Sequence, residues 1–150
     1  MGLIAGILLT AALQSSTLVI ANLQEIFQSG LLTFAAAIPV LLGSNIGTGI
    51  TGILASLGAG KTAKRATLFI VLFNVIGSII FIILLYGLWI INPLQYFLYN
   101  ILNLSPSLQI AVTHALFNVF TATLFIIFLE PTEKLIKMII TSHKTEDEAE

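Results

Sequence analysis

Thr10-Ala11-Ala12-Leu13-Gln14-Ser15-Ser16-Thr17 decides how this chain is read. The octapeptide lies inside an apolar run from Leu3 to Leu23 that otherwise has the length of a membrane span, about 20 residues. Four consecutive hydrogen-bonding side chains, Gln14 to Thr17, fall where lipid offers them no partner. Ser and Thr hydroxyls also compete for backbone groups and weaken a helix at that point. The run therefore predicts a broken or re-entrant helix pair. Such backbone is tolerated at membrane depth only where protein buries it or a wet cavity receives it.

Composition sets the class around this stretch. Of the 150 residues, 57% are hydrophobic and 9% charged, against about a quarter charged in soluble domains. No Asp, Glu, Lys or Arg occurs between Ala66 and Leu129, which is too long a stretch for a soluble surface to cover. The expectation is an all-α membrane protein with several crossings. A net charge of −1 leaves no nucleic-acid footprint. The lack of cysteine removes disulfides, a thiol nucleophile and Cys-based metal sites. The N-terminal run has no basic flank of the signal-peptide kind.

A second polar knot, Gly43-Ser44-Asn45-Ile46-Gly47-Thr48-Gly49, follows the apolar segment Leu31 to Leu42, which is too short to span alone and contains Pro39. This pattern predicts a second discontinuous helix, broken between Gly43 and Gly49 and resuming to about Leu57. Asn22 to Gly30, with Glu25, reads as a turn or interfacial segment closing the first hairpin. Ala66 to Ile91 and Ser107 to Leu129 read as two full transmembrane helices. The uncharged Asn92 to Pro106, rich in amides and aromatics, suits an interfacial connection. Residues 1–130 form the expected transmembrane repeat and 131–150 a polar tail.

The basic loop 61–65 and the tail, with Lys134, Lys137 and Lys144 before an acidic end at Glu146 to Glu150, are separated by two spans and fall on one side. The positive-inside rule makes that side cytoplasmic, in a cell membrane. Gly60-Lys61-Thr62 imitates the end of a nucleotide-binding loop. That motif needs another Gly where Ala55 stands, so the segment reads as a charged anchor.

Leu72-Phe73-Asn74-Val75 recurs as Leu116-Phe117-Asn118-Val119, with Gly77 and Ser78, or Thr121 and Ala122, one turn later. These are small faces for close helix contact. His114 stands one turn before Asn118. For Asn74 and Asn118, helix packing is the reading favoured over ligand contact, and for His114 a satisfied packing histidine is favoured over a proton relay.

No enzyme constellation is visible. Glu25 stands alone, and the other acids lie at the C-terminal end. Ser15 or Ser16 as a nucleophile would have only His114 for a base. Transport chemistry fits better. A broken membrane helix offers backbone N–H groups to an anion, and its C=O groups, with Ser, Thr, Asn and Gln oxygens, suit Na⁺. Secondary transporters place such helices at the bilayer midplane. The candidate substrate and sodium contacts are Gln14, Ser15, Ser16, Thr17, Asn45 and Thr48. Gly43, Gly47, Asn74, His114 and Asn118 are secondary candidates. No metal beyond Na⁺ and no cofactor is expected.

These knots resemble motifs of one family. Gln14-Ser15-Ser16-Thr17 is similar to the Gln-Ser-Ser-Ser signature of the type II sodium/phosphate cotransporters and their bacterial relatives. Gly43 to Gly49 resembles that family's Gly-Ala-Asn-Ile-Gly-Thr-Thr. Lys64-Arg65-Ala66, Leu72-Phe73-Asn74 and His114-Ala115-Leu116-Phe117-Asn118 resemble its later blocks in order and spacing. Thr17, Ser44 and Gly49 depart from the pattern. The resemblance implies sodium-dependent transport of inorganic phosphate, with this chain as one of two inverted repeats, the second, needing another repeat or subunit to complete a shared site. The alternative is a non-transporting membrane fragment or regulatory remnant.

Overall fold

The computed structural model describes residues 1–141, so the tail residues Lys144 and Glu146 to Glu150 lie outside the described residues. Among the described residues, seven α-helices follow in order: α1 (Gly2–Leu13), α2 (Ser16–Gln28), α3 (Phe34–Ala55), α4 (Lys61–Ile82), α5 (Ile91–Tyr96), α6 (Pro106–Ile127) and α7 (Leu129–Ile139). α4 runs on through a π-helical turn, Ile83–Gly87, and α5 through another, Phe97–Ile101. The described residues contain no strand. This is an all-α membrane protein. α3, α4 with its π turn, and α6 are each long and apolar enough to cross a bilayer.

The expected break at the first polar stretch is present. α1 ends at Leu13, Gln14 takes the left-handed conformation at φ 51°, and Ser15 is extended. The Ser15 hydroxyl accepts from Leu18 N at 3.3 Å, capping α2. Contacts along α3 give the directions. Gly2 lies against Ala36, Pro39 and Val40, Gly6 against Val40 to Ser44, and Thr10 against Gly47, so α1 runs parallel to α3. α2 begins near Ser44, and its Phe27 ring meets Phe34 at 6.0 Å, so it runs back. The two short helices thus form a re-entrant hairpin with its tip beside the middle of α3.

The expected second break is not there. α3 is one continuous helix of 22 residues from Phe34 to Ala55. Its glycines serve contact between helices instead. A Cβ on Gly43 would stand 2.0 Å from Leu3 O, and one on Gly6 would stand 2.1 Å from Val40 O. Only glycine lets the two backbones come this close. Pro39 is accommodated for a separate reason. Having no N–H, it leaves the Ala35 carbonyl without its helical donor, and the Tyr86 hydroxyl donates to that carbonyl at 2.5 Å.

Two smaller expectations also change. Asn22 to Gln28 is helix, because Leu23 and Phe27 continue the buried face of α2, and the turn is confined to Ser29-Gly30. Lys61, Lys64 and Arg65 belong to the first turns of α4 and not to a loop. Pro131 falls in the first turn of α7, where a missing N–H is harmless; the end of α6 is Phe128, at φ −103° and ψ 27°.

α4 runs antiparallel to α3, with Thr67 opposite Gly52, Val71 opposite Gly49 and Ser78 opposite Leu42. α6 packs antiparallel on α4 through Phe81–Phe117 and the Phe69, Phe73 and Phe125 cluster. Between these contacts Gly77 receives Thr121, whose Cγ2 would stand 2.4 Å from a Cβ there. The repeated Asn-x-x-Gly/Thr pattern therefore marks a close helix contact. Phe34, Ile38, Leu41, Leu42, Ile110 and Phe117 are wholly buried where α2, α3 and α6 meet.

Candidate functional site

The sharp turn at Gln14-Ser15 sets Ser16 at the start of α2, facing α3. Beneath the hairpin tip, the Thr10 hydroxyl donates to Ser44 Oγ at 2.8 Å, and both residues are buried. Ser44 Oγ lies 3.5 Å from the Ser16 carbonyl. This short polar chain ties α1, α3 and α2 together at one level and sets the height of Ser16.

At that level a cavity of about 430 Å³ opens among α2, α3, α4 and α6. Ser16, Asn45, Thr48, Asn74, His114 and Asn118 supply its polar lining, and Phe69, Ile70 and Phe73 its apolar wall. Six candidate residues from four helices thus share one space.

The amides there are held in a common way. Asn45, Asn74 and Asn118 each donate Nδ2 to the carbonyl four residues earlier, at 3.1, 3.0 and 2.9 Å. That bond fixes which end of each amide is oxygen. Asn45 Oδ1 meets His114 Nε2 at 3.1 Å, so Nε2 carries the proton in that pair. The Oδ1 atoms of Asn74 and Asn118 take no hydrogen bond from the described residues and can accept from whatever occupies the cavity. Thr48 Oγ1 donates to Ser44 O at 3.2 Å and keeps lone pairs available. The lining contains no carboxylate, ammonium or guanidinium. It is a set of neutral oxygens, spare N–H donors and one imidazole.

The remaining candidates stand elsewhere. Gln14 lines a second recess of about 570 Å³ with Thr48, Thr51, Gly52 and Ile70, so Thr48 borders both spaces. Ser15 is engaged as the α2 cap. Thr17 is exposed on the first turn of α2 and lines neither space. Gly43 and Gly47 are buried against α1, away from the cavity. Their close backbone approach is to another helix of the chain. The helix-packing reading of Asn74 and Asn118 holds for the neighbouring Gly77 and Thr121, while the two amides themselves face the cavity. Sequence reasoning passed over Thr10, Thr51 and the Phe69–Phe73 wall. The i,i+4 spacing of the two phenylalanines was their only signal.

A family model described as Na⁺/Pi-cotransporter matches residues 1–140. The uncharacterized protein YqeW of Bacillus subtilis is 33% identical over 139 residues, covering 92% of this chain and 43% of that protein. Sodium-dependent phosphate transport protein 2A of Oryctolagus cuniculus is 43% identical over 56 residues, 37% of this chain and 9% of its own length. The putative inorganic phosphate export protein YjbB of Salmonella typhimurium is 27% identical over 137 residues, 91% of this chain and 22% of that protein. The chain spans less than half the length of each of these relatives. No solved structure matches it.

Proposed function

We propose that this chain, which belongs to the Na⁺/Pi-cotransporter family, supplies one half of a sodium-dependent transporter of inorganic phosphate. The observation that carries the reading is the convergence of Ser16, Asn45, Thr48, Asn74, His114 and Asn118 on one cavity. Electrostatics supports coupling to a cation. Moving a phosphate into a lining without fixed positive charge is costly unless a counter-charge enters with it. Neutral Asn, Ser and Thr oxygens are suitable ligands for Na⁺, and the spare amide N–H groups for phosphate oxygens. The second recess, where Gln14 stands beside Thr48 and Thr51, has the same oxygen chemistry and adjoins the cavity through Thr48. The hairpin tip leaves Gln14 and Thr17 exposed, which fits a second polar stretch, from another repeat or subunit, closing the site from the other side. The host is a cell membrane, with residues 61–65 and the tail cytoplasmic.

The test is labelled-phosphate flux in vesicles holding a complete transporter that contains this half, under sodium and then potassium gradients of either direction. Ser16→Ala and Asn45→Ala each remove a polar group worth about 1–3 kcal/mol if it pairs with substrate, so sodium-stimulated flux should fall roughly tenfold or more. His114→Ala should lower flux by releasing Asn45, and His114→Gln should restore part of it. Full flux in both alanine variants at normal expression would refute the assignment.

A further inference from the structure

We infer that α7 is an interfacial anchor. It lies along the membrane surface on the side where α4 begins, with its apolar face in the lipid boundary and its basic neighbours on anionic headgroups.

The helix is two-faced. Glu130, Glu133, Lys134 and Lys137 fall on one arc of its 3.6-residue period, and Leu135, Ile136, Met138 and Ile139 fall on the other. Protein covers only part of the apolar arc. Ile136 is 5% exposed, whereas Leu135 is 38%, Ile139 56% and Met138 71% exposed. Such a face on a helix joined to a span by a single bent residue, Phe128, lies within reach of the bilayer.

Arg65 sets where the helix lies. Its Nε and Nη2 donate to the Ile140 carbonyl at 3.2 and 3.0 Å. The antiparallel register of α4 and α6 pairs Phe81 with Phe117, Gly77 with Thr121, and Phe69 and Phe73 with Phe125. Extended coaxially, this register would set Glu133 level with Arg65 and carry Ile140 about 10 Å past it. That is beyond an arginine's reach across the 8–10 Å that separates packed helix axes. α7 therefore turns aside and packs on α4, level with the end of the α4 span. A helix at that level with its apolar arc open meets the headgroup–acyl boundary.

Charge names the lipid. Lys61, Lys64 and Arg65 on α4 lie on the same membrane face as Lys134 and Lys137 on α7; the acids on that side of the chain are Glu130 and Glu133 on α7 and, outside the described residues, Glu146, Asp147, Glu148 and Glu150. The five basic side chains next to the span, not any net charge of that side, favour an anionic leaflet.

The absence of native cysteine makes the test clean. Single nitroxide labels are placed on the full chain through Met138→Cys and Lys134→Cys, both exposed positions that leave the core intact. The chain is reconstituted in vesicles of phosphatidylcholine with phosphatidylglycerol, and in phosphatidylcholine alone. The expected result is a label at 138 that collides with oxygen and is shielded from a water-soluble nickel chelate, with the reverse at 134 and a several-fold difference in their ratio. The contrast should shrink without phosphatidylglycerol, and in Arg65→Ala, which frees the helix end. A label at 138 open to nickel in both vesicles overturns the proposal. So does one shielded from both reagents, which would mean that a protein covers the face. A contrast indifferent to phosphatidylglycerol overturns the anionic-lipid assignment.

Discussion

Gly43→Ala tests the packing on which the site rests. The added Cβ would stand 2.0 Å from Leu3 O and 2.9 Å from the carbonyl carbon of Leu3. Both obstacles are backbone, so no side-chain rotation relieves them. α1 must retreat by roughly 1 Å or more, and overpacking of this kind costs about 1–3 kcal/mol. Alanine also gains up to about 1 kcal/mol of helix propensity over glycine, which partly offsets the loss. Gly52→Ala, in the same helix, is the matched control. Its Cβ would meet only Thr67 Cγ2, at 3.5 Å, an ordinary contact, so the propensity gain should stand alone. The assay is loss of helical circular dichroism on SDS titration of the chain in mixed micelles. Gly43→Ala should unfold at lower SDS than the unmodified chain, and Gly52→Ala at equal or higher SDS. A retreat of α1 also lengthens the 2.8 Å Thr10–Ser44 bond past hydrogen-bonding range, so Gly43→Ala should lower phosphate flux as well. Equal stability of the two variants would refute the reasoning, because it would mean that α1 does not dock on α3 through glycine.

Two further outcomes follow from single contacts. Tyr86→Phe strips the Ala35 carbonyl of its donor and should destabilise the chain by about 1–3 kcal/mol. In a Pro39→Ala background the restored N–H serves that carbonyl, so the same change should cost less; an unchanged cost in a double-mutant cycle would sink the account of Pro39. Glu133, hydrogen-bonded to Lys137 across one turn of α7, has its carboxyl pKa lowered by that bond and by the Lys137 charge. A group lowered in this way keeps its pairing above the ordinary carboxylate range and loses it as pH falls through its own pKa. An NMR titration should therefore find Glu133 below a free Glu, and Lys137→Ala should raise it.

Sequence alone determined the membrane class, both full spans and the break at Gln14-Ser15. Each of these is a local matter. Lipid solvates no polar group, so a charge-free apolar run and four adjacent polar side chains carry their own consequences wherever the chain later packs. Glycine has no such local meaning. Gly43, Gly47 and Gly49 fit a ruptured helix as well as a tight contact. For Gly43 and Gly47 the choice was made by the backbones of Leu3 and Ile7 and the side chain of Thr10, more than 30 residues away, and for Gly49 by Val71 of α4. The cavity depended on tertiary structure in the same way. Ser16, Asn45, Asn74, His114 and Asn118 were each legible as polar residues in apolar surroundings. That they face one another, while Thr17 and Gly43 do not, follows from the rotation of four packed helices. Helix rotation is fixed by shape complementarity over long sequence separations, which no single stretch of the chain encodes.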